Sequence, residues 1–200
     1  MNEIVTADDV RAVPAGGELV ASPGAVVTPW AREVAATRGV TIVQGAGRAP
    51  ATAIALGADH GGYALKEEIK AHLLRLGRPF HDHGTFSTDP VDYPDVALSV
   101  ARAVRTGEAG LGILVDGAGI GSAMAANKVP GVRAAPCVDA AAARNAREHN
   151  DANVLTLGAR FVDPARAREI VETFLEARCT EERHARRVGK IRAIEASFLK

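Results

Sequence analysis

Aromatic side chains make up only 4% of this chain, and Trp30 is its sole tryptophan. A core built on large rings is excluded, so the interior has to be made of small and aliphatic side chains in close packing. Cysteine is as scarce. Cys137 and Cys179 lie far apart, with no CxxC spacing, which excludes a disulfide scaffold and a Cys-based zinc site. Net charge is missing too. The 24 basic and 24 acidic residues cancel, so nothing global favours nucleic acid or an anionic membrane, and any pull on an anion has to be local. No run approaches the ~18 apolar residues of a membrane span. Residues 1–20 carry acidic and polar positions throughout, unlike a secretory signal. A cytoplasmic protein with neither nucleic acid nor membrane as partner is expected. What is present is 47% hydrophobic residues over 200 positions, enough for a real core.

The stretch at 44–52 is rich in Gly, Ala and Pro without apolar periodicity and reads as a linker between an extension, 1–43, and a main domain, 53–200. In the extension, Thr6 suits a helix cap and 18–21 a short strand. Thr28-Pro29 sets an N-cap before a proline at the first helical position, Gly39 ends that helix, and 40–43 reads as a strand. Trp30 is expected in the core of this small unit. Beyond the linker, strands are expected over 53–57, 80–83, 111–115, 132–137 and 154–157. Helices are expected over 63–76, 94–105, 140–148, 164–177 and 184–198. That alternation implies an α/β fold, a Rossmann-like three-layer α/β/α arrangement with a mostly parallel five-stranded sheet, whose ligands bind beyond the carboxyl ends of the strands.

Four clusters carry chemistry. Asp59-His60-Gly61-Gly62 follows the first strand of the main domain and reads either as a capped turn or as part of a site. Asp116-Gly117-Ala118-Gly119-Ile120-Gly121-Ser122 stands between a strand and a helix, where converging N–H groups can cradle an anion. It also imitates a dinucleotide fingerprint, with Asp139 downstream as a ribose-binding acid, although Ser122 replaces the third glycine. Glu148 to Asn153 reads as a helix C-cap or as a site contributing His149 and Asn150. In Arg183-His184-Ala185-Arg186-Arg187, the first and last arginines share a helix face and suit a phosphate, although such runs are usually solvated. Nothing forms a Ser-His-Asp triad or a metal-ligand set. The inventory suits proton transfer beside a carbonyl on a phosphorylated substrate.

Gly57 to Tyr63, Leu65-Lys66-Glu67, Val91 to Asp95, Gly119-Ile120-Gly121, Ala125 to Ala134, Arg147 to Leu155, Arg183-His184 and Arg187-Val188 occur in an order that resembles the type B ribose-5-phosphate isomerase family, which includes galactose-6-phosphate isomerase subunits. The resemblance spans about 53–195. It implies an aldose–ketose isomerase without metal or organic cofactor, working as a homodimer or dimer of dimers with shared active sites. It implies ring opening assisted by His149 and the Asp59-His60 region. Phosphate would be held by His60, Arg183, His184 and Arg187, with Tyr93 also contacting substrate. A cis-enediolate would be stabilised by Asn150 and the 117–121 loop, including Gly117, Gly119 and Gly121. The family's proton-shuttling base is a cysteine just before the glycine loop or a glutamate just after it. Here those positions hold Asp116 and Ser122, and the following threonine position holds Ala118. Asp116 is the expected base, with desolvation raising its pKa towards neutrality. The other readings are a catalytically silent sugar-phosphate binding or regulatory protein and, from the glycine loop alone, an NAD-type oxidoreductase. For residues 1–50, recruitment to a scaffold or a bacterial microcompartment is expected by analogy with short additions on enzymes of such assemblies.

Overall fold

The computed structural model describes residues 4–21, 25–44 and 53–199, which fall into two units, Met1–Pro50 and Ala51–Lys200. In the second unit, apolar runs form strands β5 (Ile54–Ala58), β7 (Leu111–Asp116) and β9 (Val154–Gly158), with the shorter β6 (Phe80–Asp82) and β8 (Ala134–Pro136) at the edges. All pair in parallel, in the order β6-β5-β7-β9-β8. The three central strands are apolar except for Thr156 within β9 and Asp116 at the end of β7, because both their faces are covered. Ile54, Leu56, Ile113 and Val115 meet helices α3 (Tyr63–Arg75), α6 (Ala140–Asn150) and α7 (Pro164–Glu176). Ala55 and Leu114 point the other way, onto α4 (Tyr93–Arg105) and α5 (Ile120–Ala126). Helix α8 (Glu182–Phe198) follows α7 and lays His184 on α6.

This is the expected α/β/α layering, with a sheet that is parallel throughout. The chain steps from β5 outward to β6 and then returns to the far side of β5 for β7. Strand order therefore reverses between β5 and β7, and sheets of this kind hold their ligands in a crevice beyond the carboxyl ends of the strands at such a switch point.

The first unit contains an internal repeat that its sequence hides. Strand β1 (Ile4–Val5), helix α1 (Ala7–Arg11) and strand β2 (Glu18–Ala21) are matched by β3 (Val26–Val27), α2 (Pro29–Arg38) and β4 (Thr41–Gln44). β1 pairs with β3 and β2 with β4, both in parallel. Thr6 and Thr28 cap the two helices, and Gly16 and Gly39 hold positive φ before the return strands. β1 and β3, at two residues each, are too short to show a period in sequence. Gln44 closes β4 and is not linker; the rest of the expected linker, 45–52, lies outside the described residues. Trp30 departs from expectation. It sits in the first turn of α2, 57% exposed under the Arg11 guanidinium, while Ala31 and Ala35 supply the helix's buried face.

Candidate active site

Two turns meet in the crevice. After β5, Asp59 Oδ1 accepts the Gly62 N–H at 2.8 Å, and the Asp59 N–H donates to the Val115 carbonyl on β7 at 3.1 Å. His60 Nδ1 lies 3.2 Å from the Val91 carbonyl oxygen and 3.3 Å from its nitrogen. Tyr93, at the start of α4, rests its ring on Gly121, where a Cβ would come within 2.7 Å of the ring.

Asp116 closes β7 and is 4% exposed. Its carboxylate accepts the N–H groups of Ala118 at 2.7 Å, of Ser122 at 2.9 Å and, by a very short contact, of Gly119. Burial on its own would raise its pKa, but the Ser122 side chain and the Ser122, Gly119 and Ala118 N–H groups outweigh burial, and the net displacement is downward. The expected rise towards neutrality is therefore corrected. The same contacts bear on the dinucleotide reading. Three of the turn's N–H groups are spent on Asp116, and Asp139 caps α6 by accepting the Ala142 N–H at 2.7 Å.

Gly119 holds this turn at φ +76°, where an added Cβ would lie 2.9 Å from the Leu157 carbonyl carbon. Gly119→Ala should cost about 2–4 kcal/mol from a left-handed backbone plus a clash with β9. Urea denaturation would show it as a lower midpoint, and an unchanged midpoint would refute this role for the glycine.

Arg160 is not legible as a site residue from the sequence motifs. It follows β9, its backbone N–H donates to the Gly117 carbonyl at 3.1 Å, and its guanidinium lies over Gly117, 3.5 Å from where a Cβ would stand. The signal that could have revealed it is its place just past a strand's carboxyl end, the rule that selects Asp59 and Asp116.

The remaining residues gather elsewhere. The His149 ring stacks on His184 with centroids 4.0 Å apart, and His149 Nδ1 is 3.0 Å from Asn145 Nδ2. His184 is 3% exposed with neither ring nitrogen hydrogen-bonded; Glu181 Oε2 stands 3.5 Å from Nε2. Desolvation, then the charges of His149 and Arg183, lower its pKa. Arg183 and Arg187 are exposed beside it, and Arg183 Nε donates to Glu181 at 2.6 Å. Asn150 is the last residue of α6, and Arg133 Nε donates to its carbonyl at 3.1 Å.

These two groups occupy opposite ends of the sheet. Asp116 pairs with Gly158 at the carboxyl end of β9, whereas α6 delivers His149 and Asn150 to the end where Val154 begins the strand. The offset along the strand is roughly 13 Å. One chain brings together Asp59, His60, Tyr93, Asp116, Gly117, Gly119 and Gly121. It does not bring His149, Asn150, Arg183, His184 or Arg187 to them. Neither cysteine substitutes for the missing thiol. Cys137 follows the edge strand β8, with burial pushing its pKa up to about 11, and Cys179 follows α7. Among the described residues no group of three or more His, Cys, Asp or Glu is placed to hold a metal, and no described helix is long and apolar enough to cross a membrane.

A parallel sheet with acidic and glycine-rich turns at its switch point defines an α/β domain of the ligand-binding kind, and comparison with known proteins makes the class specific. Residues 54–191 match the family described as Ribose/Galactose Isomerase. Ribose-5-phosphate isomerase B of Escherichia coli is 46% identical over 142 residues, 71% of this chain and 95% of that protein. A putative sugar phosphate isomerase of Bacillus subtilis is 43% identical, over 73% of this chain and 99% of its own length. Among solved structures, Clostridium thermocellum ribose-5-phosphate isomerase B superimposes with a TM-score of 0.72 at 51% identity, covering 73% of this chain and 99% of that one. The chain belongs to the ribose/galactose isomerase family and is an enzyme of the isomerase class.

Proposed function

We propose that this protein interconverts an aldose phosphate and a ketose phosphate of the ribose-5-phosphate/ribulose-5-phosphate kind, with Asp116 as general base. The observation that carries the reading is a buried carboxylate at the β5/β7 crevice, flanked by Asp59, His60 and Arg160, in a chain whose relatives are named for this reaction. With the sugar ring opened by Asp59 and His149, Asp116 takes the proton from C2, the C–H electrons form a C1–C2 double bond, and O1 collects the negative charge as a cis-enediolate. Return of the proton to C1, with loss of the O2 proton to O1, gives the ketose. A carboxylate base does not need a raised pKa for such chemistry. As a substrate oxygen takes over the N–H groups of Ala118, Gly119 and Ser122, the carboxylate loses the bonds that made it weakly basic. Asn150 adds a further donor.

The same reading makes the functional unit a homodimer, alone or paired again, in which His149, Asn150, Arg183, His184 and Arg187 of one chain complete the crevice of another, with His60 and Arg160 sharing the phosphate. Their separation within one chain supports it. We assign the protein to the cytoplasm, and to residues 1–50 a recruiting role on a scaffold or microcompartment; the independent core of Val5, Val10, Ala31 and Val40 supports a separable module. One observation favours binding without turnover, namely that Asp116 spends both oxygens on its own turn. A panel of tetrose, pentose and hexose phosphates followed by NMR decides between the two. Conversion of a pentose phosphate is expected, whereas saturable binding with no conversion of any member would establish the silent reading.

A further inference from the structure

Lys66 lies in one of the motifs singled out in the sequence, the proposed chemistry leaves it unused, and it is fully buried. Burying an ammonium is costly unless every donor is matched. Its Nζ donates to Asp82 Oδ1 at 2.7 Å, to Asp82 Oδ2 at 2.9 Å and to the Thr85 carbonyl at 2.7 Å. The Phe86 and Tyr63 ring centroids lie 5.2 and 5.6 Å away. Asp82 Oδ1 also accepts the Gly84 N–H at 3.0 Å, and Oδ2 accepts from Lys70 at 2.9 Å.

These contacts fix a segment that has no helix or strand of its own. Residues 83–85 continue the β5–β6 ladder, with Gly84 accepting from the Ala58 N–H and Thr85 donating to the Ala58 carbonyl, each at 2.7 Å. From there the chain runs irregularly to Val91, which faces His60 Nδ1, and to Tyr93, whose ring covers Gly121. Lys66 itself stands in the first turn of α3, just after Asp59 and His60. One buried cation thus ties together the two sides of the crevice that carry His60 and Tyr93.

We infer that Lys66 is a positioning residue: by holding Asp82 and the Thr85 carbonyl it sets the 83–92 segment, and through Val91 it sets the substrate-binding geometry of His60. It touches no substrate. The inference rests on the reading of His60 as substrate-binding.

In Lys66→Met the KM for the pentose phosphate should rise about tenfold or more, with kcat held within about threefold, because binding geometry is lost while Asp116 stays in place. Combined with His60→Ala, the change should add little to the effect of His60→Ala alone, since both act through one ring. Lys66→Met/Asp82→Asn, which also removes the charge that Lys66 matched and leaves the Gly84 N–H an oxygen to donate to, should keep the KM defect; Lys66→Arg should recover much of the parent's KM. The His60 ring 15N resonances, recorded without substrate, should shift in Lys66→Met relative to the parent. Multiplicative KM effects in the double variant, or an unmoved His60 signal in a folded Lys66→Met or Lys66→Met/Asp82→Asn protein, would overturn the inference. Lack of turnover in the parent would count against the proposed reaction alone, and the His60 resonances would still decide the role of Lys66.

Discussion

Asp116→Asn should lower kcat by about 10²–10⁴-fold, the usual worth of a positioned general base, with the fold retained. The amide keeps a carbonyl oxygen that can still accept the Ala118 and Gly119 N–H groups, so the turn has a reason to persist. The Ser122 N–H then faces an NH2 group, and the loss of that bond should cost about 1–3 kcal/mol. Circular dichroism and urea denaturation separate that modest destabilisation from the kinetic collapse.

The pH dependence follows from the direction of the Asp116 shift. Its pKa is held below the ordinary carboxylate value, so in the free enzyme Asp116 stays ionised throughout the neutral range and sets no acid limb in kcat/KM near pH 6–7. Asp116→Cys should introduce such a limb, rising towards the ordinary thiol value of about 8.5. A parent profile with a carboxylate limb near neutrality, lost in Asp116→Asn, would show that the Ala118, Gly119 and Ser122 hydrogen bonds do not govern the working state. The same shift has a stability consequence. A depressed folded-state pKa contributes stability that is fully present above the unfolded value of about 3.9 and is lost as pH falls through the folded value. Asp116→Asn should therefore flatten the acid limb of the stability profile.

Mixing two inactive variants should restore activity. Asp116→Asn disables the crevice and Arg187→Ala combined with His149→Ala disables the distal cluster, so each homodimer has two broken sites. If a site takes its crevice from one chain and its cluster from the other, a heterodimer pairs both defects in one site and leaves the other intact. Random exchange of equal amounts makes half the dimers heterodimeric, and about a quarter of the parent's activity should return. No recovery, despite exchange verified by mass-tagged chains, would mean that each site is completed some other way.

Much of this arrangement is legible in the amino-acid sequence. β5, β7 and β9 read as strands because both faces of a central parallel strand are buried, leaving a nearly continuous apolar run. Asp59, Asp116 and the glycine loop are legible because the sheet rule points to strand ends. Other features are not readable for identifiable reasons. The two-residue strands of the first unit carry no period, and Trp30 reads as core by residue type although the helix's register turns it outward. The sign of the Asp116 shift depends on a balance between burial and donors up to six residues away, and only geometry sets that balance. The separation of the expected site residues between opposite ends of the sheet follows from where α6 enters β9, which motif order along the chain does not show.

The most direct measurement is proton exchange at the reacting carbons. Ribose 5-phosphate incubated with the enzyme in deuterium oxide and followed by NMR should exchange its C2 proton and yield ribulose 5-phosphate carrying deuterium at C1, and Asp116→Asn should show neither. Equal exchange by parent and Asp116→Asn, or a parent that binds the sugar phosphate and exchanges nothing, would contradict Asp116 as the base of an aldose–ketose isomerase.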